Sequence, residues 1–418
     1  MRIAIVSDLH IGTKARGLDM CPHVVEKDKK ANFHTDYLSY FIKFVSSSAF
    51  STLGPIDMLC VTGDISNTAA PSEFILAHEV IQKIADAIKV PLERVYYVPG
   101  NHDVHWAVSN LDPSDFWKRY RYEPLMQPGL VFGTQLTNSK TGAFNADPHF
   151  VVWSEKQYLV VGFNSAAYDA PKPDDDEHHG LIHPDTLAEL DAFLTNSGFD
   201  SDIPRICLVH HHPIQYSDPT PAQADFSALT NAGDFLELLS KHKFDLIFHG
   251  HKHVPHLQRC SGAPNGHPIT VLGAGSFSAQ LDSRWIGTIA NQFHVVNVEG
   301  RDKGNGALYG HISNWVFDTA GTWKVSHSQT GLCATEAFGS LVTSTELETE
   351  ISSHVDAFLA KHQSCTWEDL VAASPSLRHA NTTNAHEALQ RVATSKRLKL
   401  LGEVDTNRTN WTLLPPRK

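Results

Sequence analysis

Short apolar runs and helical stripes alternate along the first two-thirds of the chain. Ile3–Val6, Met58–Thr62, Val95–Val98, Tyr158–Phe163, Ile206–Val209 and Leu246–Phe248 read as strands buried on both faces, since each is an apolar run of strand length. Between the second and third runs, Phe74, Ala77, Ile81, Ile84 and Ile88 recur three and four residues apart, which is one face of a helix. Pro71-Ser72 just ahead supplies its start signal. Leu187, Leu190 and Leu194 mark a second helix, and Phe235, Leu238 and Leu239 a third. Strands alternating with helices predict a largely parallel sheet with helices on its faces, and in such sheets chemistry sits at the carboxyl ends of the strands. From about residue 269 the pattern turns to strands alone, at Ile269–Leu272, Phe293–Val298, His311–Phe317 and Thr322–Val325. These are expected to complete a second sheet of the same domain.

The organisation changes again near the C-terminus. The predicted boundaries are a catalytic domain over 1–328, a Ser-, Thr- and Gly-rich linker over 329–345, and a small unit over 346–418. In that unit Leu347, Ile351, Val355 and Phe358 form one helical face, Trp367, Leu370 and Val371 a second, and Ala385, Leu389 and Val392 a third. Leu398 and Leu400 then alternate with polar residues, 405–410 reads as a turn, and Trp411 and Leu413 return as a strand. Three helices followed by a hairpin are winged-helix-like.

Composition narrows the functional classes. The chain has 418 residues, 41% of them hydrophobic, enough for a sizeable core. No apolar run is long enough to span a bilayer, so no membrane partner is expected. The opening Met-Arg-Ile-Ala-Ile-Val-Ser-Asp reads as the first core strand rather than a leader, which predicts a cytoplasmic protein. Six cysteines lie scattered without paired spacing and read as free thiols. A net charge of −12 excludes a generally basic, nucleic-acid-coating surface. Residues 361–418 depart from this, with nine Lys or Arg against five Asp or Glu, so DNA, RNA or a protein partner is considered for this unit. Histidines number 26, and only their positions can give them meaning.

Those positions follow a rule. The apolar runs deliver, in order, Asp8-Leu9-His10, Gly63-Asp64-Ile65-Ser66-Asn67, Gly100-Asn101-His102-Asp103, His210-His211-His212-Pro213 and Gly250-His251-Lys252-His253. Asp, Asn and His from five strand ends are thereby brought to one rim. Mixed carboxylate, amide and imidazole donors suit borderline divalent metals such as Mn, Fe, Co, Ni or Zn, whereas magnesium or calcium sites use oxygen. A pair of such ions neutralises phosphoryl oxygens and generates hydroxide at neutral pH.

The ordered set D-x-H, G-D-x-x-N, G-N-H-D, H-H-x-P and G-H-x-H resembles the calcineurin-like metallophosphoesterase superfamily over roughly residues 1 to 325. The resemblance implies an α/β fold, a two-sheet α/β sandwich of the metallo-dependent phosphatase type. It implies two divalent metal ions, with Mn favoured. Asp8, His10 and His253 would hold the first, Asp64 would bridge, and Asn101, His210 and His251 would hold the second. Aligning Pro213 with the family proline favours His210, with His211 as the fallback. His102 would stand at the substrate phosphate and stabilise or protonate the leaving oxygen. Asp103 would orient His102, and Asn67 would stand behind the ligands. The implied activity is phosphoester hydrolysis, diester before monoester. Three readings stay open: a phosphodiesterase on nucleotides or similar small diesters, a nuclease presenting DNA or RNA on residues 346–418, and an interaction protein that recruits a partner through that unit.

Other segments are weaker signals. Asp174-Asp175-Asp176-Glu177-His178-His179 reads as a solvated acidic loop, with His179-Gly180 at the rim of the site. His105 and Trp106 follow the third motif, Trp106 with a packing role. The insertion from Gly12 to His34, carrying Lys14, Arg16, Lys27, Lys29 and Lys30, is placed to influence substrate choice.

Overall fold

The structure is a computed structural model and describes residues 1–21, 36–104, 150–167, 179–200, 202–216, 227–281, 289–318, 320–329, 331–339, 344–405 and 408–416. Lys27, Lys29, Lys30, His105, Trp106 and Asp174–His178 lie outside these residues.

The first sheet begins with the apolar strands β1 (Arg2–Val6), β2 (Met58–Val61) and β3 (Val95–Tyr97), which pair in parallel. The second contains β4 (Phe150–Ser154), β5 (Leu159–Phe163), β6 (Arg205–Leu208), β7 (Leu246–His249), β8 (His256–Cys260) and β9 (Ile269–Gly273), in the order β4-β5-β6-β7-β9-β8. Its inner neighbours β5, β6, β7 and β9 are parallel, and its two edge strands are antiparallel. The strands after residue 269 were expected to share one sheet, but they divide. β9 stays beside β7, while β10 (Asn291–Arg301), β11 (Leu308–Phe317) and β12 (Trp323–Val325) extend the first sheet from β1 in antiparallel steps. The reason is an open edge on β1, which β10 fills with register Ile3 opposite Val296.

The two sheets pack face to face, and residue alternation in the second sheet assigns its faces. Val160, Ile206, Leu208, Leu246, Phe248 and Leu272 join the core shared with the first sheet. Their neighbours Leu159, Val161, Phe163, Cys207, Ile247 and Val271 point the other way. A strand buried on both faces needs this continuous apolar run, because successive side chains alternate sides. Helices α1 (Tyr37–Val45) and α2 (Pro71–Ala87) pack on the first sheet through Phe41, Phe74, Ala77 and Ile81. Helices α3 (Pro184–Asn196) and α4 (Ala232–Lys241) cover the second with Leu187, Leu190, Phe235 and Leu239.

Part of the segment read as a linker is sheet. Thr335–Phe338 forms β13, which pairs antiparallel with β11. The sequence hides it because the strand is four residues long and includes Glu336 among apolar neighbours. Beyond it, α5 (Ser344–Leu359), α6 (Trp367–Ala373) and α7 (Thr382–Ser395) surround a three-stranded antiparallel sheet of β14 (Cys365–Thr366), β15 (Lys399–Leu401) and β16 (Thr412–Leu414). Ile351, Val355, Leu370, Leu389, Val392 and Leu413 close round a fully buried Trp411. The indole N–H of Trp411 donates to the Glu403 carbonyl at 2.9 Å.

This unit is fastened to the larger body. The Ser328 N–H and hydroxyl donate to Asp405 at 2.7 and 2.6 Å. Buried Glu336 accepts from the Thr382 N–H at 3.1 Å and from Asn381 Nδ2 at 3.2 Å. The rings of Tyr309 and His379 lie 4.1 Å apart. No helix among the described residues is long and apolar enough to cross a membrane.

Trp411→Ala is expected to destabilise the C-terminal unit by about 3–5 kcal/mol, because it removes the largest buried ring of its core and leaves a cavity. Urea unfolding followed by circular dichroism measures this; a loss under about 1 kcal/mol would show that the core does not depend on that ring.

Candidate metal centre

Parallel pairing sends the C-terminal ends of β1, β2, β3, β6 and β7 to one rim, where the five motifs begin. Backbone hydrogen bonds then stitch the departing loops together. The N–H of Asp8 donates to the Gly63 carbonyl at 3.0 Å and that of His10 to the Asp64 carbonyl at 2.9 Å beyond β1 and β2, and that of Gly250 to the His210 carbonyl at 3.1 Å beyond β6 and β7. Asp8, His10, Asp64, His251 and His253 all adopt positive φ, between 49° and 72°. Non-glycine residues avoid this region at a cost of order 1 kcal/mol each, so strain is concentrated on the residues that carry the donor atoms. Gly100 leaves the room that Asp64 needs: a Cβ there would collide with the Asp64 carboxylate and backbone.

The donor atoms converge. Asp64 lies at the centre, with its Oδ2 3.3 Å from His210 Nε2 and 3.6 Å from His10 Nε2. On one side, Asp8 Oδ1 stands 3.4 Å from His253 Nε2. On the other, Asn101 Oδ1 is 3.1 Å from His210 Nε2 and 2.9 Å from His251 Nδ1. Asp8–His10–His253, His10–Asp64–His102 and Asp64–His210–His251 are each close enough to hold an ion, with ligand atoms within 4.8 Å of one another. All of these are buried except His102, His251 and His253, which are half-buried.

Of the three successive histidines, His210 brings its Nε2 into this cluster. Its Nδ1–H donates to the Thr62 carbonyl at 2.7 Å, which fixes the ring. His211 turns to Ser165, whose hydroxyl lies 2.8 Å from its Nδ1. His212 packs near Tyr216 and His249.

The electrostatics call for a cation. Burial pushes the Asp8 carboxyl up to about 7, against the pull of His210. Burial also acts to raise Asp64, but His210, His102 and His10 around it together bring it well below the usual carboxylate range. Burial would lower His210, yet the Asp64 carboxylate, helped by Asp8, raises it to about 9. The site therefore gathers a proton on His210 Nε2, where Asp64, Asn101 and His251 all compete for it. One proton serves one acceptor at a time; a divalent ion serves several. Burial and the neighbouring His102 hold His10 well below its ordinary value, and burial brings His253 down to about 4. Both rings are thus neutral, with lone pairs that could serve a metal. Neither ring nitrogen of buried His10 makes a hydrogen bond, an unusual state for a buried polar group and one that a metal relieves. Carboxylate, amide and imidazole together fit a borderline divalent metal.

One expected contact is replaced. Asp103 was expected to orient the His102 ring. Its fully buried carboxylate instead accepts from the N–H groups of Gly100 at 2.9 Å, Ser66 at 2.8 Å and Ile65 at 3.3 Å, and from the hydroxyls of Ser66 and Tyr97. Backbone donors outcompete a side chain for those oxygens because the tight turn points them inward. The His102 ring is held by Asn67, whose carbonyl accepts from Nδ1–H at 2.9 Å. Asn67 thus stands behind the donors through its backbone. His102 also donates its own N–H to Asp64 Oδ1 at 2.8 Å. Sequence reasoning missed Ser7, whose hydroxyl donates to Asp8 Oδ2 at 2.5 Å, and the Thr62 and Asn67 carbonyls. Main-chain carbonyls carry no sequence signal; the serine preceding Asp8 was the one hint available. Among the rim segments, His179 is described and its Nδ1–H donates to the Ala228 carbonyl at 3.2 Å.

A model of the family "Calcineurin-like phosphoesterase" matches residues 1–255, more than half of the chain. The chain is 24% identical over 256 residues to a probable cyclic nucleotide phosphodiesterase of Xenorhabdus bovienii (strain SS-2004), covering 61% of this chain and 79% of that protein. It is 24% identical over 254 residues to another of Coxiella burnetii (strain RSA 493 / Nine Mile phase I), covering 60% and 76%. Among solved structures, a purple acid phosphatase from yellow lupin (Lupinus luteus) seeds aligns with a TM-score of 0.42 at 14% identity, over 75% of this chain. The chain spans about half of that phosphatase, 53% of its length. A phosphopantetheinyl hydrolase from Mycobacterium tuberculosis aligns with a TM-score of 0.36 at 16% identity, over 68% of this chain and 91% of that one. Since the matched region runs through all five motifs to His253, the chain belongs to the calcineurin-like phosphoesterase family, a family of metal-dependent hydrolases.

Proposed function

We propose that the chain is a phosphodiesterase acting on small nucleotide-type diesters at a two-metal centre. The observation that carries this reading is the shared Asp64 carboxylate, flanked by His10 on one side and His210 on the other. Asp8, His10 and His253 form the first ligand set, Asn101, His210 and His251 the second, and Asp64 belongs to both. When bound, a pair of divalent ions supplies charge neutralisation and acidifies water. The chain's own residues do the rest. Asp8 and Asp64 supply fixed negative charge to hold the ions, Thr62 and Ser7 orient His210 and Asp8, and His102 stands at the substrate side. With Nδ1–H committed to Asn67, the Nε2 of His102 is the atom that carries a proton to the leaving oxygen. Mn²⁺ suits the donor set and is the ion to supply first.

The substrate class draws on the relatives, both described as probable cyclic nucleotide phosphodiesterases. The helices and three-stranded sheet of the C-terminal unit suit a winged-helix-like module over about 346–418, and three of its nine basic residues are engaged within it. Arg391 pairs with Glu348 and Glu387, and Lys396 with Asp356. The Arg408 guanidinium donates to the Ala380 carbonyl at 2.7 Å and lies over the rings of Trp367 and Trp411. We assign the unit a packing role on the catalytic body.

Two outcomes follow. Adding Mn²⁺ to chelator-stripped protein is expected to raise its melting temperature, by the equivalent of about 2.7 kcal/mol at a hundredfold excess over the dissociation constant. The Asp64→Ala variant should show little of that shift; an equal shift in the variant would remove Asp64 from the centre. In a hydrolysis panel, His102→Ala should lower kcat by about 10²- to 10⁴-fold on small diesters, as loss of a general acid does. Cleavage of DNA or RNA in preference to small diesters would overturn the substrate assignment, and an unchanged kcat would overturn the role of His102.

A further inference from the structure

The segment joining Asp64 to α2 carries the carbonyl that fixes His102, and its conformation is held by one buried side chain. Glu73 lies in the first turn of α2 and is almost fully buried. Its Oε2 accepts from the N–H of Asn67 at 3.1 Å, the N–H of Thr68 at 2.7 Å, the hydroxyl of Thr68 at 3.0 Å and the N–H of Ala70 at 3.4 Å. Three main-chain N–H groups of one short turn thus face a single carboxylate oxygen, with charge-assisted bonds that are stronger than neutral ones. Its other oxygen packs against Gly12, where a Cβ would collide with it. The turn it gathers is strained: Ala69 adopts φ 56° and gives its N–H to the Ser66 hydroxyl at 3.2 Å. A non-glycine residue keeps that conformation only where its surroundings impose it. With the Asn67 N–H drawn to Glu73 and to the Ile11 carbonyl at 3.1 Å, the Asn67 carbonyl is left to face His102.

We infer that Glu73 is a positioning residue for His102, acting through the Asn67 peptide to hold the imidazole with its proton on Nδ1 and Nε2 toward the substrate. It touches neither substrate nor ligand set. Its carboxylate also caps α2, a structural task that any acceptor at this position performs, so the test must separate the two. This role rests on the phosphodiesterase reading for its kinetic consequence but not for its geometric one.

The geometric test uses the full-length chain labelled with ¹⁵N-histidine, the His102 signal being identified by its loss in His102→Ala. The wild type should show His102 with a slowly exchanging proton on Nδ1, and Glu73→Ala should lose that protection, with Glu73→Gln, which retains an acceptor oxygen, recovering it. Unaltered tautomer and protection in Glu73→Ala would overturn the inference, whether or not any substrate is turned over. The kinetic test compares Mn²⁺-loaded variants on diesters with a p-nitrophenolate or an alkoxide leaving group. Glu73→Ala should lower kcat by about tenfold or more on the alkoxide and far less on p-nitrophenolate, which needs little proton donation, with KM unchanged. In the His102→Ala background the same substitution should have no further effect. Equal losses on both leaving groups, additive with His102→Ala, would reduce Glu73 to a helix cap. Absence of turnover by the wild type on every diester would count against the phosphodiesterase reading alone.

Discussion

Buried negative charge at the strand ends is the constraint on which the site depends. Asp8 and Asp64 are essentially inaccessible to water, and a carboxylate in that position needs compensation. The chain supplies part of it through the Ser7 hydroxyl and the N–H groups of His251 and His102. His210, raised to about 9 by these carboxylates, supplies more, while His10, His251 and His253 are held neutral and supply only lone pairs. What remains is a deficit of positive charge, and the fold retains it at the expense of left-handed backbone at five residues of the cluster. A surrounding frame that accepts such strain is spending stability on a fixed geometry.

The rest of the architecture can be read as support for that geometry. Two sheets with parallel centres bring five strand ends to one edge, and the shared core between them keeps those ends from shearing. Behind the donors stands a ring of braces. Thr62 holds His210, Asn67 holds His102, and Asp103 pins the turn after Asp64 to the loop after β3. Most braces work through the main chain, so they tolerate little movement in the loops that bear them.

Much of this was legible in the sequence. Uninterrupted apolar runs located the inner strands to within a residue or two, and the polar residues immediately after each run were the ones that converge. The pairing partners were less visible. β10 to β12 joined the first sheet, because an edge vacancy on β1 is a property of the assembled fold and leaves no local pattern. β13 was hidden by its shortness. At the site, the misreading of Asp103 has the same origin. A buried Asp beside a His suggests a pair by sequence proximity, whereas the turn offers that carboxylate several closer main-chain donors. The left-handed backbone at Asp8, His10, Asp64, His251 and His253 was also out of reach, since these residue types do not announce it.

In the proposed centre, Asp64 is shared by two ions. Electron paramagnetic resonance of the Mn²⁺-loaded protein tests it most directly, because two Mn²⁺ ions joined through one carboxylate are magnetically coupled. The wild type should give the spectrum of a coupled pair, and Asp64→Asn should give isolated ions or none. A wild-type spectrum of a single isolated Mn²⁺ at saturation, or a coupled pair that persists without the Asp64 carboxylate, would contradict it.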